Sequence, residues 1–506
     1  MEKIAVIDIG SNSARMVLVN ILDGGHFVVF DELKETVRLG QDMDWDGFIK
    51  PQRLIEAKRT LTMFRRLCDA NHVEKIFAYA TAAIRRAKNA KGFLDDIAMT
   101  CGIKIKVLTE EEQCQLIYQG VVNSIDIPKG LIMEMGGSST NLIYYNRKNI
   151  VHSISLPIGA VTLTDMFKNQ ADTPEERARK MEEYVATVLE SVPWLSSIEP
   201  ETQFIGVGGA FRNLGRISRM IKKYKFAQTH NYELDVKEFD AIYKQIRKLD
   251  LDSTMKIKGL SSGRADIFPS ALAIMSCVLS SQKYQKITIS GCGLREGVMF
   301  RYACPSIMEK PLPDVLGHSI ETQIKYFDIN AVHAQHVYDL SMILYKQLKV
   351  LHKMPKMYLK VLRVAAYLHD AGMRIKYYNH HLHSYYMILN SNLYGISHRE
   401  LICAAFVASG HRRSSDIDMT ELAKYKDILT AEDVEAIKKL AVILSISESL
   451  DRSMSGVVTG LSCDVLGDSV IVKAEYEGDC TLEVNAASAM ASEFYAAYGK
   501  RLELIQ

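Results

Sequence analysis

Short apolar runs rich in β-favouring residues alternate with helical segments from residue 1 to about residue 300. The runs read IAVIDI, KIFAYA, IKIKVL, GLIMEM, TQFIGVGG and KITISG. Such runs, bounded by turn residues, are typical of buried strands. Because they alternate with helices, this part of the chain is predicted to have an α/β fold.

The pattern changes after residue 304. The segment PSIMEKPLPD contains Pro305, Pro311 and Pro313, and this density of proline predicts a linker. From about residue 320 to residue 455 the chain has a helical pattern with many histidines. LSCDVLGDSVIVKAEYEGDCTLEVNA then alternates as antiparallel strands do, and SEFYAAYGKRLEL predicts a closing helix.

The composition narrows the class of protein. The 506 residues are 48% hydrophobic and 24% charged, with a net charge of +2, which is ordinary for a globular protein. The chain has neither a long uncharged apolar run nor a signal sequence, so we expect a cytoplasmic protein without a membrane or nucleic-acid partner. Nine scattered cysteines without CxxC spacing predict reduced thiols.

One polar turn near the amino terminus suggests phosphate chemistry. IDIGSNS, Ile7 to Ser13, places an acid, a glycine and small polar residues between two apolar runs, as a hairpin does. Glycine permits a close approach to the backbone, N–H groups and hydroxyls suit phosphate oxygens, and Asp8 is suited to hold a cation. An ordinary polar hairpin turn is the alternative interpretation.

The same design occurs twice. AVIDIGSNSARMVLV at Ala5 to Val19 and LIMEMGGSSTNLIYY at Leu131 to Tyr145 both read apolar strand, acid, glycine, small polar residues, apolar strand. A third glycine turn, FIGVGGAFRNLGRI, begins at Phe204. Two such hairpins that face each other would bind a phosphate from both sides.

These motifs, with GRADIF at Gly263 to Phe268 and GLREG at Gly293 to Gly297, resemble the exopolyphosphatase and guanosine pentaphosphate phosphohydrolase (Ppx/GppA) family. The resemblance implies two actin-like lobes, of the ribonuclease H-like fold, followed by an all-α HD-type domain and a small α+β domain. The corresponding ranges are 1–125, 126–304, 315–458 and 459–506.

The resemblance also implies an activity and its site. Family members release a terminal phosphate from polyphosphate, or the 5′ phosphate of guanosine pentaphosphate, with a divalent ion such as Mg²⁺ in the cleft between the lobes. Asp8, Glu134 and Asn141 stand at the positions nearest that metal. The implied phosphate-binding residues are Gly10, Ser11, Asn12, Ser13, Arg85, Gly136, Gly137, Ser138, Ser139, Thr140, Gly208 and Gly209.

Among the positions that depart from the family pattern, Gln113 and Asn141 bear most on the chemistry. In TEEEQCQLIYQG the position of the catalytic glutamate is occupied by Gln113, whose amide cannot act as a base near neutral pH. Glu112 is the neighbouring candidate, but Thr109 and Glu112 have the spacing of a capping box. Asn141 replaces an acid that helps hold the metal, so we expect weaker metal binding.

The histidine-rich region resembles an HD phosphohydrolase domain. Its segments AAYLHDAGMRIKYYNHHLHSYYMI and ILSISESLDRS contain imidazoles and carboxylates, which together suit Mn²⁺, Fe²⁺ or Mg²⁺. Purely structural histidines are the alternative. The candidate ligands are His333, His369 and Asp370, with His383 and His411 for a second metal and either Glu448 or Asp451 as the distant acid.

These observations predict an exopolyphosphatase-like phosphohydrolase whose partner is inorganic polyphosphate or a guanosine polyphosphate. Two alternatives stay open: a regulator that binds these ligands without cleaving them, and a metal-dependent hydrolase located in the HD-type domain. By analogy with the family, the protein is also predicted to form a homodimer.

Overall fold

The computed structural model describes residues 1–43 and 47–506 of the chain. The chain forms two compact units, Met1–Val315 and Leu316–Gln506. The first unit contains two mixed sheets with helices, and the second contains helices followed by a three-stranded sheet. The predicted fold class, two α/β lobes followed by a helical region and a small α+β region, is confirmed.

The first sheet has the strand order β3-β2-β1-β4-β5. Its strands are β1 (Glu2–Ile9), β2 (Ala14–Leu22), β3 (His26–Glu35), β4 (Lys75–Ala80) and β5 (Ile105–Val107). The helices of this region are α1 (Pro51–Ala70), α2 (Ala82–Arg86), α3 (Ala90–Cys101) and α4 (Glu110–Val122). β1 and β2 pair antiparallel up to Ile9 and Ala14, so the predicted hairpin is present, while β4 runs parallel to β1.

The second sheet repeats this plan and adds one strand, in the order β10-β11-β9-β6-β7-β8. Its strands are β6 (Lys129–Met135), β7 (Thr140–Asn146), β8 (Asn149–Leu156), β9 (Gln203–Val207), β10 (Tyr232–Asp235) and β11 (Lys286–Ser290). The helices are α5 (Ala160–Phe167), α6 (Pro174–Leu189), α7 (Gly209–Lys222), α8 (Val236–Ile246), α9 (Leu251–Met255), α10 (Phe268–Ser280) and α11 (Leu294–Ala303). β6, β7 and β8 pair antiparallel, so the predicted second hairpin is present, while β9 and β11 run parallel to β6 and β10 pairs antiparallel with β11.

Helices α4 and α11 cross in direct backbone contact. A β-carbon at Gly120 would lie 2.0 Å from the carbonyl oxygen of Gly293, and one at Gly297 would lie 1.9 Å from that of Leu116. Only glycine fits such a crossing. α4 packs its apolar face against the second sheet, whereas α11 packs Phe300 against Phe27 of the first sheet. The two crossed helices therefore link the two sheets of the first unit.

The second unit is helical over most of its length. Its first helices are α12 (Val315–Phe327), α13 (Ala331–Gln347), α14 (Lys349–His352), α15 (Met357–Leu368), α16 (His380–Leu389), α17 (His398–Ser409), α18 (Met419–Ala423) and α19 (Ala431–Ser449). Helix α19 is buried along most of its length, as are the packed faces of α15 and α17. These helices form the core that positions the histidines.

The carboxyl-terminal sheet differs from the prediction in two places. Its elements are β12 (Val458–Val465), β13 (Ser469–Tyr476), α20 (Thr481–Ser488), α21 (Ala491–Tyr498) and β14 (Arg501–Ile505). The segment predicted as a last strand is helix α20. At its start, the Thr481 amide donates a hydrogen bond to the Asp479 carboxylate (2.9 Å). The predicted closing helix ends at Gly499, which has a φ of 67°, and the chain then pairs as β14 parallel to β13.

Two further predictions concern the whole chain. All nine cysteines have free thiols, as their count and spacing predict. Among the described residues, no helix combines the length and apolar character needed to cross a membrane. The domain boundaries inside each unit stay predictions.

Candidate functional site

The two predicted turns have the same backbone geometry. The amide of Gly10 donates to the carbonyl of Ser13 (3.1 Å), and the amide of Gly136 donates to that of Ser139 (2.9 Å). Each turn follows a strand whose penultimate residue is acidic, Asp8 in β1 and Glu134 in β6. Both hairpins therefore present a carboxylate, a glycine and small polar residues in the same order.

The two turns face each other across one cavity. A β-carbon at Gly137 would lie 3.0 Å from Cβ of Ser11 and 3.3 Å from the amide nitrogen of Asn12. The start of α7 closes the same cavity through Gly208 and Gly209. The predicted residues that line it are Asp8, Gly10, Ser11, Asn12, Ser13, Gln113, Glu134, Gly136, Gly137, Ser139, Gly208 and Gly209. The prediction that the hairpins share one cleft is confirmed.

Three predicted phosphate-binding residues do not line this cavity. The Thr140 hydroxyl donates to the carbonyl of Ile158 (2.8 Å), and the side chain of Ser138, within the second turn, is buried. Arg85 donates to the carbonyl of Leu108 (2.9 Å) and to the side-chain oxygen of Gln113 (3.2 Å). Of the three, Arg85 contacts Gln113, which lines the cleft, and the assignment of all three to phosphate binding stays a prediction.

The side chains of Gln113 and Glu112 face different parts of the structure. Gln113 is buried and lines the cleft next to Arg85. Glu112 accepts hydrogen bonds from the Thr109 amide (3.0 Å) and from Lys106 (2.5 Å), and the Lys106 hydrogen bond holds the pKa of Glu112 below its usual value. The predicted capping box is confirmed. Because its carboxylate is used at the helix start, Glu112 does not reach the cleft.

Asn141 also lies behind the cleft. It is fully buried on β7, opposite Glu134 in the strand register, and its amide donates to the Glu134 carboxylate (2.7 Å). The Asn141 side chain points toward Glu134 on the adjacent strand β6, so Asn141 does not line the cavity. Asn141 therefore contacts Glu134 from behind the cavity wall, and its assignment as a metal ligand stays a prediction.

Two partly buried carboxylates, Asp8 and Glu134, face the cavity. Burial raises the pKa of Asp8, an effect that nearby Arg295 opposes. Burial also raises the pKa of Glu134 to about 7, with a further contribution from the charge of Asp8, while the Asn141 hydrogen bond opposes the rise. Paired buried carboxylates are stabilised when a cation lies between them. Their oxygen donors suit Mg²⁺.

Sequence reasoning did not assign the arginines of the cleft. They are Arg15, Arg212, Arg264 and Arg295. Burial, together with the charges of neighbouring arginines, lowers the pKa of Arg15 to about 9 and that of Arg264 to about 10. Among the described residues, Arg295 pairs with Glu32 (2.7 Å), whereas the other three form no ion pair. Such uncompensated positive charge suits a polyanion.

A signal for three of these arginines was present in the sequence. GGAFRN, GRADIF and GLREG contain Arg212, Arg264 and Arg295, and each motif was identified without a role for its arginine. Arg15 follows the first turn on β2. The helix starts at Gly209 and Leu294 also point at the cavity, and helix amino termini attract anions.

The helical unit contains a second candidate site around Asp370. One oxygen, Oδ2, lies 3.8 Å from Nε2 of His333 and 3.5 Å from Nε2 of His369. The other oxygen, Oδ1, lies 3.1 Å from Nε2 of His380 and 4.0 Å from Nε2 of His411. The carboxylate therefore has one pair of imidazoles at each oxygen, and the two groups, which share Asp370, have the spacing of metal ligands.

Each of the four imidazoles bonds through Nδ1 to a group that lies outside the ligand cluster. His369, His380 and His411 bond through Nδ1 to backbone carbonyls of Ala366, Tyr377 and Ala408 at 2.7 to 2.8 Å. His333 bonds through Nδ1 to Asp451 (2.7 Å). Such contacts fix the tautomer and turn the Nε2 lone pair toward a metal.

The Nε2 atoms of the four imidazoles are directed toward Asp370 and toward one another. The Nε2 atoms of His333 and His369 are buried without a hydrogen-bond partner. Nε2 of His380 lies 2.9 Å from Nε2 of His411. With both Nδ1 atoms donating to carbonyls, these two nitrogens would place lone pairs face to face, so a proton or a metal must lie between them.

The second-metal prediction is corrected at His383. His380, at the start of α16, joins His411, whereas His383 lies one turn later with its Cβ over Gly372 and belongs to neither ligand group among the described residues. Of the two candidate acids, Asp451 orients His333, while Glu448 lies 3.7 Å from Arg452. Neither acid belongs to a metal-ligand group with Asp370 among the described residues.

Comparison with known proteins gives matches along most of the chain. Residues 17–304 match the model of the Ppx/GppA phosphatase family, and residues 316–483 match its domain III. A guanosine-5'-triphosphate,3'-diphosphate pyrophosphatase of Pseudoalteromonas translucida is 26% identical over 487 residues, or 94% of this chain and 92% of that protein. One of the same name from Pseudoalteromonas atlantica is 27% identical over 88% of this chain and 86% of that protein.

Two solved structures have the same fold as the first part of the chain. An exopolyphosphatase from Cytophaga hutchinsonii is 28% identical with a TM-score of 0.56, covering 60% of this chain and 98% of that one. The Aquifex aeolicus member of the Ppx/GppA family is 26% identical with a TM-score of 0.52, with coverage of 60% and 98%. Since the family model alone spans more than half of the residues, the chain belongs to the Ppx/GppA phosphatase family.

Proposed function

We propose that the cleft hydrolyses the terminal phosphoanhydride bond of inorganic polyphosphate or of a guanosine polyphosphate. The observation that carries this proposal is the convergence of two matching turns and four arginines on one cavity. Backbone N–H groups and guanidinium groups both bind phosphoryl oxygens. The names of the relatives, a guanosine pentaphosphate pyrophosphatase and an exopolyphosphatase, support the same chemistry.

The residues of the cleft act mainly by position and charge. Water attacks the terminal phosphorus while the bond to the bridging oxygen breaks, and negative charge spreads over the non-bridging oxygens. Arg15, Arg212 and Arg264 supply positive charge that no described carboxylate neutralises as an ion pair. The two turns fix the direction of the phosphate chain.

Asp8 and Glu134 are the residues that would hold Mg²⁺ in the cleft. Both are carboxylates on the cavity wall, and burial raises the pKa of each. When bound, the cation supplies charge neutralisation for the phosphoryl oxygens. Asn141 then orients Glu134 instead of supplying a ligand.

Gln113 limits the rate of this chemistry. Its side-chain oxygen accepts a hydrogen bond from Arg85, so the amide nitrogen is the end available to a water molecule. An amide orients water but does not take a proton from it. This supports slow hydrolysis, and it equally favours the alternative of a regulator that binds polyphosphate or guanosine polyphosphate without turnover.

The test compares the full-length protein with Asn12→Ala, which changes one residue of the first turn. Each protein is incubated with Mg²⁺ and either long-chain polyphosphate or guanosine pentaphosphate, orthophosphate release is measured, and binding is measured by calorimetry. We expect release at least about tenfold faster from the parent. Binding without release would support the regulator. Neither binding nor release would contradict both functions.

A second candidate function is metal binding in the helical unit. The buried, unpartnered Nε2 atoms of His333 and His369 favour it, together with the close His380–His411 contact. Mixed imidazole and carboxylate ligands suit Mn²⁺, Fe²⁺ or Mg²⁺.

The expectations of a cytoplasmic location and a homodimer stay predictions.

Metal analysis of protein purified without chelator tests this second function. We expect His380→Ala to lose metal relative to the parent, because His380 faces Asp370 at 3.1 Å. His383→Ala is the matched control on the same helix and should keep its metal. Equal metal content in both variants, or only trace metal in the parent after Mn²⁺ is added, would contradict the site.

A further inference from the structure

His230 does not line the cleft, but it packs directly against one of its walls. This partly buried histidine stands in the segment between α7 and β10. A β-carbon at Gly291 would lie only 3.0 Å from Cβ of His230. Gly291 lines the cavity between the end of β11 and the start of α11. The imidazole therefore supports a wall residue of the cleft from outside the cavity.

Two backbone groups fix the tautomer of this imidazole. The Gly291 amide donates to Nδ1 of His230 (3.1 Å), and Nε2 lies 3.2 Å from the carbonyl oxygen of Ser124. An amide N–H only donates and a carbonyl oxygen only accepts, so Nδ1 is the acceptor and Nε2 carries the proton. Burial lowers the pKa of His230 to about 4, so the ring is neutral near pH 7 and Nδ1 keeps its lone pair.

The same glycine contacts one of the arginines of the cleft. Nη1 of Arg212, which lines the cavity, donates to the Gly291 carbonyl (3.3 Å). Gly291 is therefore held through its amide by His230, while its carbonyl directs Arg212. Because glycine has no side chain, its backbone has more freedom than that of other residues, and these hydrogen bonds restrict it.

The segment that carries His230 is anchored on both sides. Arg219 of α7 donates to the Thr229 hydroxyl (2.9 Å) and to backbone carbonyls just before it. On the other side, the Asn231 amide donates to the carbonyl of Ile289 on β11 (2.8 Å). These contacts limit the movement of the backbone at His230, so its imidazole is a fixed support for Gly291.

We propose that His230 is a positioning residue of the cleft, which holds Gly291 so that Arg212 is directed at the terminal phosphoryl group. This inference rests on the function proposed for the cleft. Arg212 supplies positive charge to the phosphoryl oxygens as the bond to the bridging oxygen breaks. The position of such a group matters, because a displacement of about 1 Å can lower a rate about 10²-fold. His230 does not touch the substrate and acts through Gly291 and Arg212.

Two substitutions separate this role from a purely structural one. In His230→Asn the side-chain oxygen takes the place of Nδ1 and can still accept from the Gly291 amide. In His230→Gln the amide nitrogen takes the place of Nε2 and can still donate to the Ser124 carbonyl, but the acceptor for Gly291 is lost. A positioning role predicts that Asn rescues function and Gln does not, whereas a role limited to the Ser124 contact predicts the reverse.

The experiment uses the full-length protein and both variants. Orthophosphate release from long-chain polyphosphate is measured with Mg²⁺, tripolyphosphate binding by calorimetry, and folding by the melting temperature. We expect kcat to fall about tenfold in His230→Gln and to stay within about threefold of the parent in His230→Asn. The affinity for tripolyphosphate should follow the same order, so a parent that binds without turnover still gives a readout.

A second measurement tests whether His230 acts through Arg212. In an Arg212→Ala background, His230→Gln should change the affinity for tripolyphosphate by less than about twofold, because both substitutions disrupt one unit. In the parent background the same substitution should weaken binding about fivefold or more. Effects that multiply independently would show that His230 acts elsewhere and would overturn the proposal.

Failure of the cleft's function and failure of this inference give different results. A parent that neither binds nor hydrolyses its ligands contradicts the function of the cleft, and the positioning role is overturned with it. If the parent is active or binds, unchanged kcat and affinity in His230→Gln overturn the positioning role alone. Equal losses in the Asn and Gln variants, including failure of both to fold, also overturn it, since they indicate a structural role.

Discussion

At the residue scale, one position of the cleft distinguishes the proposed hydrolase from the proposed regulator. Gln113 lines the cavity and accepts a hydrogen bond from Arg85, while Glu112, one position earlier, is used at the start of α4. Adjacent helical residues point about 100° apart, so one of them faces the cleft and the other does not. The identity of residue 113 therefore sets the proton chemistry available there.

We expect Gln113→Glu to increase the rate of phosphate release. The new carboxylate would keep its contact with Arg85 and would be able to take a proton from the attacking water. General-base catalysis typically contributes about 10² to 10⁴-fold, so an increase in kcat of at least about 10²-fold is expected, with little change in KM. Steady-state assays with polyphosphate and Mg²⁺ measure both constants.

Glu112→Gln is the matched control for this substitution. It keeps the capping-box spacing but removes the carboxylate charge and its ion pair with Lys106, and it leaves the cleft unchanged, so we expect a slightly lower melting temperature, a cost of about 0.3 to 1 kcal/mol, and an unchanged kcat. If kcat fell in Glu112→Gln and did not rise in Gln113→Glu, the assignment of residue 113 to the water-facing position would be wrong.

At the scale of elements, the site is built where turns and helix starts meet. The second turn packs directly on the start of α5: a β-carbon at Gly159 would lie 2.5 Å from the carbonyl carbon of Gly137 and 2.7 Å from the amide nitrogen of Ser138. Amides at the start of α5 also donate to the carbonyls of Gly136 and Gly137. The helix therefore fixes the position of the turn.

We predict that Gly159→Ala displaces the second turn and weakens phosphate binding. A methyl group at this position clashes with backbone atoms, which cannot move aside as a flexible side chain does. A cost of about 1 to 3 kcal/mol is typical of such overpacking. Calorimetry with tripolyphosphate should show at least about tenfold weaker binding. Gly92→Ala in α3, where a methyl group meets no atom within 4 Å, is the control and should bind normally.

The end of α19 supplies a second prediction at this scale. Asp451 contacts Nδ1 of His333 and accepts a hydrogen bond from the Gly456 amide (3.0 Å). Carboxylates behind a metal-bound histidine typically change metal affinity about 10- to 100-fold. We therefore expect Asp451→Asn to lower Mn²⁺ affinity by that factor, measured by competition with a chelating dye. Glu448→Gln should have no such effect, and the reverse order would show that Glu448 is the functional acid.

At the scale of the whole molecule, the chain divides into two units with separate cores. The first unit ends at Val315, and both sheets, the cleft and helices α4 and α11 lie within it. The Cytophaga hutchinsonii and Aquifex aeolicus proteins match 60% of this chain but 98% of their own length. Proteins of about the size of the first unit therefore fold without a second one.

We expect a fragment of residues 1–315 to fold and to keep its cleft. It should unfold cooperatively on heating and bind tripolyphosphate within about threefold of the full chain, because every residue of the cavity is retained. Circular dichroism and calorimetry measure the two properties. A fragment that is unfolded, or that binds about tenfold more weakly, would show that residues 316–506 support the cleft.

The sequence alone determined most elements of the first unit and the order of its motifs. Strand periodicity predicted an α/β fold, the repeated acid–glycine turn predicted two matching hairpins, and the spacing of Thr109 and Glu112 predicted the cap of α4. These features depend on residues that are neighbours along the chain, so a local pattern is sufficient to specify them.

Tertiary structure alone decided which side chains meet. Arg15, Arg212 and Arg264 come from three separate elements and converge only when both lobes are packed. Asn141 lies behind Glu134 because of strand register, and His380 takes the place predicted for His383 because of the packing of α16. Distances between residues far apart in sequence depend on long-range packing, which the periodicity of a single segment does not specify.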